Sequence, residues 1–451
     1  MRVSIKSIKF TKKTVLCFVF CLSGLSVLKS QDSSKAQDSI LTLDKAIQIA
    51  LANNFGIKVS LSVAQIAANN VTRGNAGLEP TLGLTSNVTP SSGYLNQEYS
   101  SNTGISKVFY GNVFNAGLQG NYILYNGRIN HLEFTRLGEL KNLADLNVRT
   151  NIEQVIYDIM RSYYNIIRQQ ELYDALKEQL NYYEERARLA KSRLDIGSGN
   201  RLDVLQTQSD LQIQKTQLLR QQQLIEVGKT QLYQLMILKN KLNYFFNVTE
   251  GLTTSNYNLA DLQNASASNL QYEVLKHQEA TSYIVLQQTE ALRKPTISFN
   301  PAFLIGRTDN NAGLTLVNQN TTLSANFNLS LPIYEGKNIQ RQIANAKINL
   351  GIFKTQKEQL AYNLNENLIL QYQIFVNAKE ILKSEEENLT VARQSIEIAM
   401  ERFRLSRSTI LELNTFQQVY ENGLSRLVAA KYDAKIAEIE LLRLSGALSP
   451  K

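Results

Sequence analysis

Residues 323–337 read LSANFNLSLPIYEGK, and residues 114–128 read FNAGLQGNYILYNGR. The two stretches lie 209 positions apart and align without a gap. In the later one Leu323, Ala325, Phe327, Leu329, Leu331 and Ile333 alternate with Ser324, Asn326, Asn328, Ser330 and Pro332. The earlier one keeps the parity, with Phe114, Ala116, Leu118, Gly120, Tyr122 and Leu124 against Asn115, Gly117, Gln119, Asn121 and Ile123. Period two is the mark of a strand with one apolar face. Both stretches end on a glycine and a basic residue, Gly127-Arg128 and Gly336-Lys337, and then turn to helical spacing.

The duplication runs on from there. Arg193-Leu194 falls on Arg402-Phe403, and Leu202-Asp203-Val204 on Leu411-Glu412-Leu413. The unit is far longer than a solenoid repeat of roughly 20–50 residues. A whole strand–helix module has been copied. The spacing predicts strands near 80–90 and 107–125 in the first copy, and near 296–306 and 322–334 in the second. Pro80 and Pro295 stop the helix before each upstream strand. Loops rich in Gly, Ser, Asn and Thr are expected at about 90–107 and 306–321.

Such strands suit a membrane barrel, in which about 9–11 residues cross the apolar layer. They also suit hairpins packed one-sidedly on a soluble core. Four strands cannot close a membrane barrel, since about eight are the minimum. If these strands span, several chains must contribute, because an edge open to lipid leaves backbone groups unpaired.

Each strand pair feeds long helices: 129–195 with return partner 202–245, and 339–405 with return partner 411–445. Shorter helical regions at 43–78 and 258–293 precede the strands. In the second copy Ala378, Leu382, Glu385, Leu389, Ala392, Ile396, Ala399 and Phe403 step by alternating four and three. Leu180, Tyr183, Ala187, Ala190 and Leu194 repeat that seam in the first. This is a coiled-coil seam with small residues, flanked by wide polar surfaces. It fits a hollow bundle better than a solid core. The hairpins reverse at Ile196-Gly197-Ser198-Gly199-Asn200 and at Ser406-Arg407-Ser408-Thr409. Glycine adopts the positive φ of a tight reversal cheaply. The second tip has no glycine and is expected to differ in geometry.

The formal charge of +9 is concentrated at the start of the chain. Arg2, Lys6, Lys9, Lys12, Lys13 and Lys29 have no acid among them, and setting them aside leaves about +3. No basic patch for nucleic acid remains. A basic stretch to Lys13 followed by apolar Val15–Leu28 reads as an export signal over residues 1–30, too short to span a bilayer. The two cysteines, Cys17 and Cys21, lie inside it. The exported chain would have no disulfide, thiolate metal site or cysteine nucleophile. His131 and His277 fall in different helical regions with no metal-pair spacing, and no glycine-rich phosphate loop follows a strand. Catalytic, cofactor-binding and metal residues are expected to be none.

With these parts assembled, the chain resembles the TolC-like outer membrane efflux protein family. Leu43-Asp44-Lys45-Ala46-Ile47 with Ala50, Asn53 and Asn54 is similar to that family's opening motif. Glu79-Pro80 is similar to its helix end before the first strand. Arg193-Leu194-Asp195-Ile196-Gly197 followed by Leu202-Asp203-Val204-Leu205-Gln206 is similar to its hairpin-tip motif. The resemblance implies a mainly α chain with membrane β structure. It divides the chain into a first repeat, 31–256, and a second, 257–451. It implies a homotrimer in the Gram-negative outer membrane, with a shared twelve-stranded barrel continuous with a periplasmic coiled-coil tunnel. It further implies a passive exit duct for drugs, small molecules or exported proteins, driven by an inner-membrane transporter through a periplasmic adaptor.

The resemblance also places a gate. Glu412 stands where the family sets an acidic ring, and Thr415 where a second aspartate is common. Phe403 and Ser408 stand where a tyrosine and an arginine lock the hairpins, and neither can form those bonds. Asp203 is retained, and Arg404 and Arg407 are its candidate partners, or those of Glu412. Gly197, Ser198, Gly199, Asn200, Ser406 and Thr409 are the implied adaptor contacts. The rival reading is a secreted or surface-attached coiled-coil adhesion protein with no pore.

Overall fold

The computed structural model describes residues 40–98, 100, 103–238, 244–246, 254–313 and 315–448; the expected export signal lies outside them. The chain opens with β1 (Ile40–Leu41), α1 (Leu43–Asn53) and α2 (Phe55–Asn70). Strands β2 (Thr81–Glu98) and β3 (Gly104–Asn126) lead to the hairpin α3 (Ile129–Asp195) and α4 (Arg201–Met236). After β4 (Phe245–Phe246), α5 (Leu259–Ala265) and α6 (Leu270–Ala291), the plan repeats with β5 (Thr296–Asn310), β6 (Val317–Ser330), α7 (Asn338–Arg404) and α8 (Ile410–Leu444). The two longest helices, α3 and α7, each have 67 residues. That is about 100 Å at 1.5 Å per residue.

The strands form one antiparallel sheet in the order β2-β3-β5-β6. Cross-strand partners share a face, so the register fixes the chemistry of each side. Leu84 pairs with Leu118, Leu118 with Phe303, and Phe303 with Leu323. Val88 pairs with Phe114, Ala116 with Ile305, and Tyr122 with Phe299, which stacks on Phe327 at 4.8 Å. One face is therefore apolar across all four strands. The opposite face carries Thr85, Asn87, Asn115, Gln119, Asn300, Ser324 and Asn326, with Val113, Ile123 and Leu304 as exceptions. Charged residues appear only at the far end, at Glu98, Lys107, Arg307 and Asp309. The apolar face is bare: Leu84 is 75% exposed and Leu323 82%.

The strands are longer than their apolar runs suggested. Most of the expected loops at 90–107 and 306–321 is paired strand, because β2 runs to Glu98, β3 starts at Gly104 and β5 runs to Asn310. Polar strand residues beyond the apolar band look like loop in sequence, yet the ladder needs only backbone groups. At the other end β6 stops at Ser330 rather than 334. Pro332, with no N–H to donate, follows two residues later. A register shift between Ile123 and Tyr125 returns Tyr125 to the apolar face opposite Ile297.

The long helices begin and end within a residue of expectation, except at α4, which stops at Met236, where Ile237 takes a left-handed φ of 53°. Phe245 and Phe246 then pair in parallel with Ile40 and Leu41. The region 43–78 is two helices, broken where the Asn54 side chain caps α2 by accepting from Ile57 N–H at 3.1 Å. The region 258–293 breaks likewise at Ser266–Ser268, and Asn269 caps α6. The main core lies at this belt. It gathers Leu41, Ala46, Ile159, Tyr163, Ile166, Leu232, Met236 and Ile439, and Tyr163 donates to the Leu41 carbonyl at 3.0 Å. No helix among the described residues is long and apolar enough to cross a membrane.

Candidate functional site

Both helical hairpins end in five-residue reversals. In the first, Gly197 has φ of 77°, and its N–H donates to Leu194 while Ser198 N–H donates to Arg193. In the second, Ser406 has φ of 58°, and its N–H donates to Phe403 while Arg407 N–H donates to Arg402. Both are the same left-handed helix stop, with orphan carbonyls satisfied in the same order. The expected difference between the tips is therefore not found at this position. Ser406 adopts what Gly197 adopts, at the steric cost of a Cβ. The returning helices are capped by side chains: Asn200 accepts from Leu202 N–H at 2.8 Å, and Thr409 from Glu412 N–H at 3.2 Å. The tips diverge two residues after the stop. A Cβ on Gly199 would stand 2.6 Å from Leu194 N and 2.8 Å from the Arg193 carbonyl carbon. Its twin, Ser408, has a side-chain oxygen that is buried without a partner among the described residues.

The candidate gate residues are only partly brought together. Glu412 pairs with Arg402 at 2.7 Å, within one hairpin. Arg404 instead meets Glu401 at 3.4 Å. Neither Arg404 nor Arg407 takes the partner expected of it, because Arg402 lies one turn before the tip and faces the start of α8. No ion pair to Asp203 forms among the described residues; its carbonyl accepts from Thr207 at 3.0 Å. Thr415 likewise turns its hydroxyl inward, to Leu411 O at 3.0 Å. Phe403 is 2% exposed and lies beneath the Arg193 guanidinium, 4.8 Å from ring to cation. It joins the hairpins by packing, where a hydrogen bond is ruled out.

Stronger ties lie further up the seam between hairpins. Arg186 of α3 is 2% exposed. It donates to Asp210 of α4 at 2.5 Å, to Gln417 of α8 at 2.9 Å, and to Asn414 of α8. Glu421 accepts from Gln417 at 3.0 Å and from the Tyr183 hydroxyl. Burial raises the Glu421 carboxyl above the usual range, against the pull of Tyr183, Gln417 and Arg186. Burial also pushes the Tyr183 hydroxyl up. A second node sits near it. Tyr420 of α8 donates to Glu178 of α3 at 2.9 Å, and Arg393 of α7 reaches both, at 3.4 Å to Glu178 and 3.2 Å to Tyr420. Burial raises the Tyr420 hydroxyl to about 12.

Two helical hairpins hung from a four-stranded sheet that is apolar on one side can now be set against known proteins. The family model described as Outer membrane efflux protein matches residues 46–236. Over that stretch, which covers most of the first copy, the chain is similar to the outer membrane efflux proteins. "Outer membrane efflux protein BepC" of Brucella suis biovar 1 (strain 1330) is 20% identical over 304 residues. That match spans 67% of this chain and 65% of BepC, just under two thirds of its length. Among solved structures, VceC of Vibrio cholerae aligns with a TM-score of 0.73 at 16% identity, covering 90% of this chain and 96% of that one. The CmeC outer membrane channel of Campylobacter jejuni aligns at 0.71 and 16%, covering 90% and 85%. At such identities the structures establish the fold: this chain shares the strand and helix plan of both copies with them.

Sequence reading missed Arg186, Asp210, Asn414, Gln417 and Glu421. The available signal was a departure from the duplication. At the same offset of 209, Arg186 falls on Ser395, Tyr183 on Ala392 and Asp210 on Val419. An arginine on a coiled-coil seam, where its twin is serine, marks a position that does something its twin does not.

The tips yield a prediction. Gly197→Ser should be tolerated, since Ser406 already holds that conformation, whereas Gly199→Val must push the α3 backbone aside at a cost of about 1–3 kcal/mol. Limited trypsin digestion checks this at Arg193 and Arg201, which flank the tip. Cleavage should speed up severalfold in Gly199→Val and not in Gly197→Ser.

Proposed function

We propose that this protein is the outer-membrane exit duct of a tripartite efflux or type I secretion system. In this reading it acts as a passive channel through which drugs, small molecules or exported proteins leave, driven by an inner-membrane transporter through a periplasmic adaptor. The observation that carries the reading is the sheet register: one apolar face, one polar and uncharged face, and two unpaired edges, β2 and β6. Strand direction alternates across the sheet, so β6 of one copy meets β2 of the next in antiparallel sense. Three copies then close a barrel of twelve strands with no free edge, and outer-membrane lipid covers the apolar face. Tyr94 and Tyr110 mark one rim of that face, and Tyr122 and Tyr125 the other. The 12 residue-to-residue steps of β3 from Tyr110 to Tyr122 span roughly 30 Å of height at about 3.4 Å per step and a tilt near 40°. That matches a bilayer core. A pore-less adhesion protein has no use for such a face.

Threefold symmetry turns Glu412 into a ring of carboxylates, the expected cation-attracting constriction. The Arg402 pair places a ring of guanidinium groups beside it and weakens that attraction. Gly197, Ser198, Gly199, Asn200, Ser406 and Thr409 form the surface offered to the adaptor. The test is extraction. The protein should leave the envelope only with detergent, and run on native mass measurement at three times the chain mass. Release by a salt wash, or a monomer in mild detergent, would overturn the reading.

A further inference from the structure

The two ends of the sheet differ in charge. The end away from the helices carries two acids and two bases, Glu98, Lys107, Arg307 and Asp309, and Arg307 pairs with Asp309 at 2.9 Å. At the helix end four bases stand on three turns: Arg128 after β3, Arg293 and Lys294 before β5, and Lys337 after β6. None of the four forms an ion pair among the described residues. Of the carboxylates near them in the chain, Glu79 meets Arg73 at 3.9 Å and Glu133 meets Arg136 at 2.6 Å, while Glu290 and Glu335 pair with none of the four. Arg293 and Lys337 line one groove of about 370 Å³ with Pro332, Ile333, Tyr334 and Glu335. The stem of Lys294 lies over Gly127, next to Arg128. At the offset of 215 that relates the upstream strands, Arg293 and Lys294 fall on Leu78 and Glu79. The basic cluster is therefore built once per chain, and the strand–helix junction does not need it in order to fold.

The groove opens on the apolar side of the sheet. Tyr334 is the repeat twin of Tyr125, which lies on the apolar face opposite Ile297. Ile333 and Tyr334 are 93% and 78% exposed, and Leu329 above them is 68% exposed. Arg293 stands four residues before Ile297. That is about 10 Å of height at 3.4 Å per residue and a tilt near 40°. A headgroup layer reaches roughly 5–8 Å beyond the hydrocarbon on each side, and long basic side chains extend along an apolar surface to place their charge in it. Cations without protein anions, set just below a bare apolar wall, fit the phosphate of a lipid whose chains lie along that wall. A zwitterionic headgroup brings its own ammonium to its phosphate; an anionic one leaves the phosphate to the protein. We propose that Arg293 and Lys337, flanked by Lys294 and Arg128, hold the phosphate of an anionic phospholipid in the leaflet nearest the helices, with its acyl chains against Ile333 and Leu329. This rests on the bilayer-covered sheet under Proposed function.

Native mass spectrometry of the full-length protein in mild detergent reads bound lipid and copy number together. The probes are phosphatidylglycerol, phosphatidylcholine and inorganic phosphate. At equal lipid concentration, phosphatidylglycerol adducts should outnumber phosphatidylcholine adducts by about fivefold or more. Inorganic phosphate in about tenfold excess should displace less than half of them. Arg293→Gln with Lys337→Gln should bring the two lipids within about twofold of each other. Lys107→Gln with Arg307→Gln makes the same charge change at the other end of the sheet and should leave the preference intact. Lys337 holds a φ of 65°, so Arg293→Gln alone, which leaves that turn untouched, is the second variant should the double one misfold. It should at least halve the preference. Equal adducts in the parent, a preference unmoved by the Arg293 variants, or an equal loss from the far-end pair would overturn the site. Displacement by inorganic phosphate would assign the cluster to a soluble anion and overturn the lipid. Any of these results at three times the chain mass leaves the duct reading standing, whereas a monomer mass would overturn that reading itself.

Discussion

Replacing Arg186 with alanine is expected to cost the folded state about 3–5 kcal/mol, the range for stripping one partner from a buried ion pair. The side chain is 2% exposed and bonds to Asp210 at 2.5 Å, Gln417 at 2.9 Å and Asn414. Without it, Asp210 keeps its charge with no counter-ion, and two amides on α8 lose their donor. Arg188→Ala, two residues along the same helix, removes a surface pair with Glu185 whose side chains are 68% and 38% exposed. That variant should be indistinguishable from the parent. Denaturant melts of the detergent-solubilised protein, followed by circular dichroism, give both values. The pH dependence carries a sign. Glu421 already has a raised carboxyl pKa, so its folded state binds the proton more tightly than the unfolded chain does. Its contribution is most favourable at acid pH and is lost as pH rises through the raised value. Arg186 offsets part of that rise. Its removal should therefore hurt most at neutral pH and less on acidification. An alanine variant as stable as the parent at neutral pH would show that the node is decoration.

The plan of the molecule was legible because two periodicities, two and three-and-a-half, alternate in the sequence and then repeat. Long helices declare their ends through caps and turn residues, which is why 129–195 matches α3. Strand lengths were not legible, since a ladder continues through residues such as Ser91, Ser92 and Asn96 with no apolar signal. The breaks at Asn54 and Asn269 were hidden in continuous helical spacing, although both are good capping residues. At the tips the error ran the other way. Lack of glycine suggested a different turn, but the hydrogen bonds of the Schellman stop hold Ser406 at positive φ. The pairing of Glu412 with Arg402 rather than Arg404 is a matter of helix phase near a reversal. One residue of phase rotates a side chain by about 100°, which spacing alone does not resolve. The Arg186 node was invisible to pattern reading because heptad logic looks for what repeats, and this residue matters where the copies differ.

The sheet supplies the other large effect, and it turns on two adjacent residues. Leu118 lies between Leu84 and Phe303 on the apolar face, and Gln119 lies between Gly83 and Ala302 on the polar one. Their local backbone is shared, so propensity and strand position cancel in a comparison. Leu118→Arg should cost about 2–4 kcal/mol of insertion, the depth-dependent range for a cation on the lipid face of a barrel. Gln119→Arg adds the same side chain to a surface that reads as water-filled and should cost almost nothing. Refolding from urea into lipid vesicles, scored as protease-protected protein, separates them. If the sheet were instead a soluble hairpin pair lying on a protein core, Leu118→Arg would still destabilise it, but vesicles would change nothing. The decisive quantity is thus the difference between the two variants with and without lipid. A gap that opens only in lipid identifies bilayer as the medium covering Leu84, Leu118, Phe303 and Leu323. A gap of equal size in detergent-free buffer would assign that face to protein, and the barrel would lose its main physical argument.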